Sequence, residues 1–252
     1  MFKEYFGLRW VFDHDEVDRI IEEHIEQNKP GYVVSVDGNN FSTAQLETFH
    51  MTILNSSIVN NCDGIWIPSL VNWIYHTNYK NYCGADLFLK FIKKRKFRQF
   101  YLGSNRRVLD GLKKEMAKLD PKVADMRFEE LPFRTVDEFD YKGIAKMIND
   151  DAPDIIWVSL GAPKQEQFMY RLLPYLNRGV MFGYGAIFNF YSGLEDAPKR
   201  APRWIINMKM ESLYRIFQEP KKQIKRCWRF LSVIPSCLIK EYKKKKSAQR
   251  NK

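Results

Sequence analysis

Short apolar runs recur along the chain, each closed by glycine or polar residues and followed by apolar positions three and four apart. The runs predict buried strands, and the spacing after them predicts amphipathic helices. Val17, Ile20, Ile21 and Ile25 give a helix over 15–28, with Asp13 or Asp15 as its cap and Pro30-Gly31 as its end. Tyr32 to Val36 reads as a strand, Asp37-Gly38-Asn39-Asn40 as a turn, and Ala44, Leu46, Phe49 and Ile53 as one helix. Gly64-Ile65-Trp66-Ile67 reads as the next strand, with Cys62-Asp63 at its approach. Helices over 85–92, 106–118 and 136–149 then alternate with strands over 100–103, 126–128, 154–160 and 180–182. This alternation predicts the α/β class: a Rossmann-like, mostly parallel sheet covered by helices. The strand pattern stops after Gly193, leaving helical, aromatic and basic segments. The chain therefore divides into an α/β domain over 1–195 and a helical basic appendage over 196–252.

One junction organises the rest. The strand that ends at Leu160 is closed by Gly161, and Pro163 suits a first helical residue, because its missing N–H costs nothing there. In an open α/β sheet, ligands bind outside the carboxyl ends of the strands, where helix N-termini offer amides to anions. Lys164, Gln165 and Glu166 then stand at that mouth as a charge, an amide and a carboxylate. Glu166 would equally favour the helix dipole. Gly183-Tyr184-Gly185 closes another strand, but position 188 is Phe, so it is no dinucleotide fingerprint. A glycine turn that holds amides near a phosphate and a plain strand-to-helix turn both stay open.

Charge changes the picture. Residues 199–252 hold 17 Lys/Arg against 3 Asp/Glu, a net +14, whereas residues 1–198 hold 24 against 27. A near-neutral body with a basic end suits an anionic partner: a membrane surface, nucleic acid or a phosphorylated ligand. Aromatics among the basic residues, through Arg200-Ala201-Pro202-Arg203-Trp204, Glu211-Ser212-Leu213-Tyr214-Arg215 and the basic run from Glu219 to Arg226, fit an interfacial membrane helix. They also fit a nucleic-acid surface, and Lys243 to Lys246 fit a solvated tail. No apolar stretch approaches the roughly 20 residues needed to span a bilayer; Phe230 to Ile239 is short and interrupted by Pro235.

Cys62, Cys83, Cys227 and Cys237 form no CxxC pair, which suits reduced thiols in a cytosolic protein. His14, His24, His50 and His76 lack metal spacing. The carboxylates of Asn149 to Asp154 precede a strand, away from the Gly161 mouth, and suit a solvated helix end. Asp63 is different. Beside Cys62, Ile65 and Trp66 it would be partly desolvated, which raises a carboxyl pKa and suits a general base. A turn aspartate before Gly64 is the plain alternative.

Six pieces in order complete the pattern: Asp63-Gly64, Gly84-x-Asp86, Leu102-Gly103, Gly161-x-Pro163-Lys164-Gln165-Glu166, Arg200-Ala201-Pro202 and Glu219-Pro220. With them the chain resembles the WecG/TagA/CpsF family of bacterial glycosyltransferases from about Tyr5 to Glu241. The resemblance implies an inverting transfer from a UDP-sugar donor to a lipid-diphosphate-linked sugar acceptor, peripheral at the cytoplasmic face of the membrane. It implies no cofactor and no metal, in the synthesis of wall, capsule or exopolysaccharide polymers.

Carried over residue by residue, Asp63 is the catalytic base, Ser35 stands where the family usually has Thr, and Gln165 contacts the sugar. Arg215 reaches the diphosphate, with Lys222 and Lys225 where further arginines are typical. Lys164, Glu166, Gly183 and Gly185 complete the expected substrate-binding set, with the amides after Gly161 and Gly183 assisting UDP departure. Asn81 joins it in place of a family arginine; Asn189 replaces an Asp, and Trp66 a small residue. The donor sugar is then N-acetylmannosamine, glucose or a related hexose. A nucleic-acid-binding protein would need a basic body, yet residues 1–198 sum to −3. A silent membrane scaffold would not need both Asp63 and Gln165. Self-association into a homo-oligomer stays open.

Overall fold

The computed structural model describes residues 2–208 and 210–250. A short antiparallel hairpin opens the chain, β1 (Lys3–Tyr5) with β2 (Leu8–Trp10), joined through Phe6 and Gly7, both at positive φ. Then come α1 (His14–Glu26), β3 (Gly31–Val36), α2 (Gly38–Leu46), α3 (Thr48–Asn55), β4 (Val59–Cys62), α4 (Trp66–Tyr75) and α5 (Gly84–Lys93). The middle of the chain supplies β5 (Gln99–Gly103), α6 (Arg106–Ala117), β6 (Arg127–Glu129), α7 (Tyr141–Asp151), β7 (Ile155–Ser159) and α8 (Lys164–Leu172). It closes with β8 (Val180–Gly183), α9 (Gly185–Tyr191), α10 (Arg203–Asn207), α11 (Glu211–Gln218) and α12 (Pro220–Arg250).

Strands β3 to β8 form one sheet in the order β4-β3-β8-β7-β5-β6, and every neighbouring pair is parallel. Successive strand residues face opposite sides, so each central strand feeds two cores. Val34, Val36, Ile156, Val158 and Met181 point to the side packed by α2, α3, α4, α7, α8 and α12. Val33, Tyr101, Trp157 and Phe182 point to the side packed by α1, α5, α6 and α9. The α/β, Rossmann-like expectation holds. Because all six strands run the same way, their carboxyl ends share one edge.

Four local expectations need correcting. The strand expected at 64–67 is instead β4 at Val59–Cys62, and Ile67, Val71 and Ile74 make the buried stripe of helix α4. Asp63 therefore follows a strand rather than approaching one. Asp37 does not start a turn; its side chain accepts the Asn40 N–H at 2.8 Å and caps α2. The single helix expected through Ala44 and Ile53 is two helices, α2 and α3. Pro163 sits one residue before the first helical residue, Lys164.

Helix α12 runs unbroken through Pro235. The carbonyl that proline leaves unpaired lies on an exposed side, where water can bond it. The inner side of α12 buries Val233, Cys237 and Glu241 against the body. Phe230 lies 5.9 Å from Phe41, and Glu241 accepts from Phe6 N at 2.7 Å and from the Tyr75 hydroxyl at 2.8 Å.

Candidate active site

A cavity of about 710 Å³ lies over the carboxyl ends of the strands. Ser35 near the end of β3 and Asp37 just after it line the cavity, with Asp63 after β4, Ser104 and Asn105 after β5, and Leu131 after β6. Gly161 and Lys164 follow from β7, and Gly183, Tyr184 and Gly185 from β8. Arg215, Lys222 and Arg226 of α11 and α12 line the same space. Body and C-terminal helices thus contribute to one cavity.

Asp63 is half-buried on this wall. Its Oδ1 accepts the Gly84 N–H at 2.5 Å, and Asn81 Nδ2 donates to its main-chain oxygen at 3.2 Å. Burial pushes its pKa up to about 6; the Gly84 N–H and Arg215 work against that rise, Asp37 and Glu211 with it. A carboxyl poised there is ionised at neutral pH yet keeps appreciable basicity, as a general base requires. Gly84 packs tightly here: a Cβ there would stand 3.0 Å from Ser35 Oγ and Tyr184 Cε1, so those side chains would have to shift. Ser35 Oγ in turn lies 2.9 Å from Asn61 Oδ1 and 3.1 Å from the Tyr184 hydroxyl.

Gln165 joins the two glycine turns. Its Oε1 accepts from Gly161 N at 3.1 Å and Gly185 N at 3.0 Å; its Nε2 donates to Gly183 O at 2.7 Å and Glu166 Oε1 at 2.9 Å. A primary amide has two donors and two acceptor positions, so all are taken within the protein. Gln165 lines the cavity but acts here as a staple, and the Gly161 and Gly185 amides are spent on it. The turns press together so closely that a Cβ on Gly185 would stand 2.7 Å from Gly161 N. At Gly161 itself, φ is +77° and the space a Cβ would take is open.

Glu166 does not stand at the mouth as expected. It is buried behind Gln165, also accepting from Asn40 Nδ2 at 3.1 Å, and burial pushes its pKa up to about 7. Asn40 reaches on to His50, whose pKa burial lowers to about 4. Asn81 holds the Asp63 loop from outside the cavity lining, and Lys225 is exposed outside that lining too.

Lys164 lies over the rings of Phe133 and Phe139 at 5.1 and 5.2 Å, and Arg215 over Phe190 at 5.3 Å. Arg200 bridges Asp86 at 2.8 Å, tying the C-terminal segment to the helix that carries Gly84. The 149–154 carboxylates sit at the opposite sheet edge, where Asp151 pairs with Arg98 and Asp154 with Arg178. Among the described residues, no group of three or more His, Cys, Asp or Glu is placed to hold a metal ion. Sequence reasoning missed Glu211 and Arg226, although helical spacing from Arg215 and Lys222 puts them on the cavity side.

A parallel sheet whose carboxyl edge carries a cavity lined by a poised carboxylate and by cations has the arrangement of a Rossmann-like group-transfer enzyme. The chain belongs to the WecG/TagA/CpsF family of glycosyltransferases, whose family model matches residues 8–251. It is similar to the N-acetylglucosaminyldiphosphoundecaprenol N-acetyl-beta-D-mannosaminyltransferase of Bacillus subtilis (strain 168), 27% identical over 236 residues, covering 90% of this chain and 86% of that one. The enzyme of the same name from Bacillus spizizenii is 24% identical over 222 residues, 87% of this chain and 81% of the relative.

Proposed function

We propose that this glycosyltransferase moves a sugar from a UDP-sugar to a polyprenyl-diphosphate-linked sugar, with inversion, at the cytoplasmic membrane face. The observation that carries the reading is Asp63, with its raised pKa, in one cavity with Arg215, Lys222 and Arg226. Asp63 takes the proton of the acceptor hydroxyl as its oxygen attacks the anomeric carbon. The bond from that carbon to the diphosphate oxygen breaks on the opposite face, so a single displacement inverts the centre. UDP leaves as an anion, which Lys164, Arg215, Lys222 and Arg226 are suited to stabilise. These cations supply charge without a metal, and the reading includes none. The relatives' names support N-acetylmannosamine as the donor sugar and N-acetylglucosamine on the acceptor.

Among the described residues no helix is long and apolar enough to cross a membrane. Peripheral docking is supported by α12, whose outer side carries Ile224, Trp228, Leu231, Pro235, Ile239 and Tyr242, all exposed. That spacing keeps them in one stripe, opposite the buried Val233 and Cys237. Lysines and arginines flank it. The test is UDP release from a panel of UDP-sugars with a short-chain lipid-diphosphate acceptor, with and without EDTA. Transfer from UDP-N-acetylmannosamine that survives EDTA is the expected result; no transfer from any UDP-sugar, or loss on chelation restored by Mg²⁺ or Mn²⁺, would overturn it.

A further inference from the structure

We propose that α4 is a second membrane-contacting face, on the body beside Asp63, so that the bilayer meets the base side of the cavity as well as α12. The proposal rests on the membrane-docking reading above. Helix α4 carries no Asp, Glu, Lys or Arg from Trp66 to Tyr75. Its inner stripe, Ile67, Val71 and Ile74, is buried, while Trp66 is 57% and Trp73 69% exposed, with half-buried Leu70 between them. Residues 66, 70 and 73 share one side of a helix. Two exposed tryptophans on an uncharged helix would be costly surface in water, but suit the headgroup boundary, where an apolar ring and a polar N–H are both accommodated.

Two further observations commit this face to an anionic bilayer. Its first residue stands three positions after Asp63, which lines the cavity, so the face begins where a lipid-linked hydroxyl would have to arrive. Its far end meets the polybasic end of α12. Lys245 donates to the Ile74 carbonyl and lies 5.7 Å over the Tyr75 ring, with Lys243 and Lys246 exposed nearby along the chain. Exposed aromatics along one side of α4, with lysines at its far end, match the apolar boundary and the negative headgroups of one surface.

The test uses the full chain with Trp204→Phe and Trp228→Phe. Trp66 and Trp73 are then the remaining exposed tryptophans, because Trp10 and Trp157 are fully buried. Emission is read with phosphatidylcholine vesicles containing about 30 mol% phosphatidylglycerol, a composition chosen for negative surface potential, with and without brominated acyl chains. Flotation of the same samples reads docking separately. Quenching by brominated lipid is expected, and its loss when Trp66→Phe and Trp73→Phe are added. In the otherwise native chain, Trp66→Ser with Trp73→Ser should lower vesicle partitioning roughly tenfold, as expected for giving up on the order of 60 Å² of apolar contact. A protein that floats without quenching would overturn the role of α4 and leave docking through α12 standing. A protein that does not float would overturn both. A dimer in sedimentation that the Trp66→Ser, Trp73→Ser variant dissolves, without quenching in vesicles, would assign the face to a second copy instead.

Discussion

Asp63 Oδ1 receives the Gly84 N–H at 2.5 Å, so the carboxylate at the end of β4 is aimed by the first residue of α5. One strong hydrogen bond fixes the group without cancelling the effect of burial, which holds its pKa near 6. Activity and stability should therefore respond to pH in opposite senses.

For activity, the proposed base must be ionised. The value of kcat/KM on a soluble acceptor should fall as pH drops below about 6, with a slope approaching one proton. For stability, Asp63 binds its proton more tightly folded than unfolded, so between its ordinary value of 3.8 and about 6 the native state holds more protons. Stability from this group falls as pH rises through that window. An acid limb with no inflection within about one pH unit of 6 would contradict the assignment.

Gln165→Glu is nearly isosteric but removes both side-chain donors at neutral pH. The Gly183 carbonyl loses its partner and Glu166 faces a second carboxyl group. Destabilisation of on the order of 2–4 kcal/mol is expected, read as a lower denaturation midpoint, with activity falling in the part that stays folded. A stability equal to the wild type would mean that the amide is not the staple of the two turns.

The C-terminal helices should separate binding from chemistry. Lys243→Gln with Lys246→Gln should weaken binding to anionic vesicles by about 1 kcal/mol per charge if those lysines reach the surface, and leave transfer to a soluble acceptor unchanged. Arg215→Ala should do the reverse, because Arg215 lines the cavity. Equal losses of vesicle binding and of soluble-acceptor transfer in both variants would remove that division of labour.

Much of the architecture was legible because the central strands are apolar on both sides. Tyr32 to Val36 and Ile155 to Leu160 announce themselves, and Gly161 and Gly183 mark where they end. Strand β4 was not legible. Its Asn60 and Asn61 look like loop residues, yet both are buried: Asn60 donates to the Arg9 and Leu54 carbonyls, and Asn61 to that of Tyr82. The apolar Ile65-Trp66-Ile67 then drew the strand assignment, since a short apolar run fits strand or helix equally. Asp63 was found by its local surroundings, but its partner Gly84 lies 21 residues on. Glu166 was misplaced for a related reason: Asn40, which helps hold it inside, is 126 residues away. Helical spacing identifies a face, not what that face meets.

The central claim is that Asp63 is the base, and turnover of Asp63→Asn tests it most directly. Asparagine keeps the shape and can still accept the Gly84 N–H, but it cannot take a proton. The variant should fold, with a midpoint at pH 7 at or above the wild type, because a partly desolvated charge has been removed. UDP release with the soluble acceptor should fall by roughly 100-fold or more, the scale of a positioned acid–base group. A folded Asp63→Asn protein that transfers sugar at nearly the wild-type rate would contradict the account.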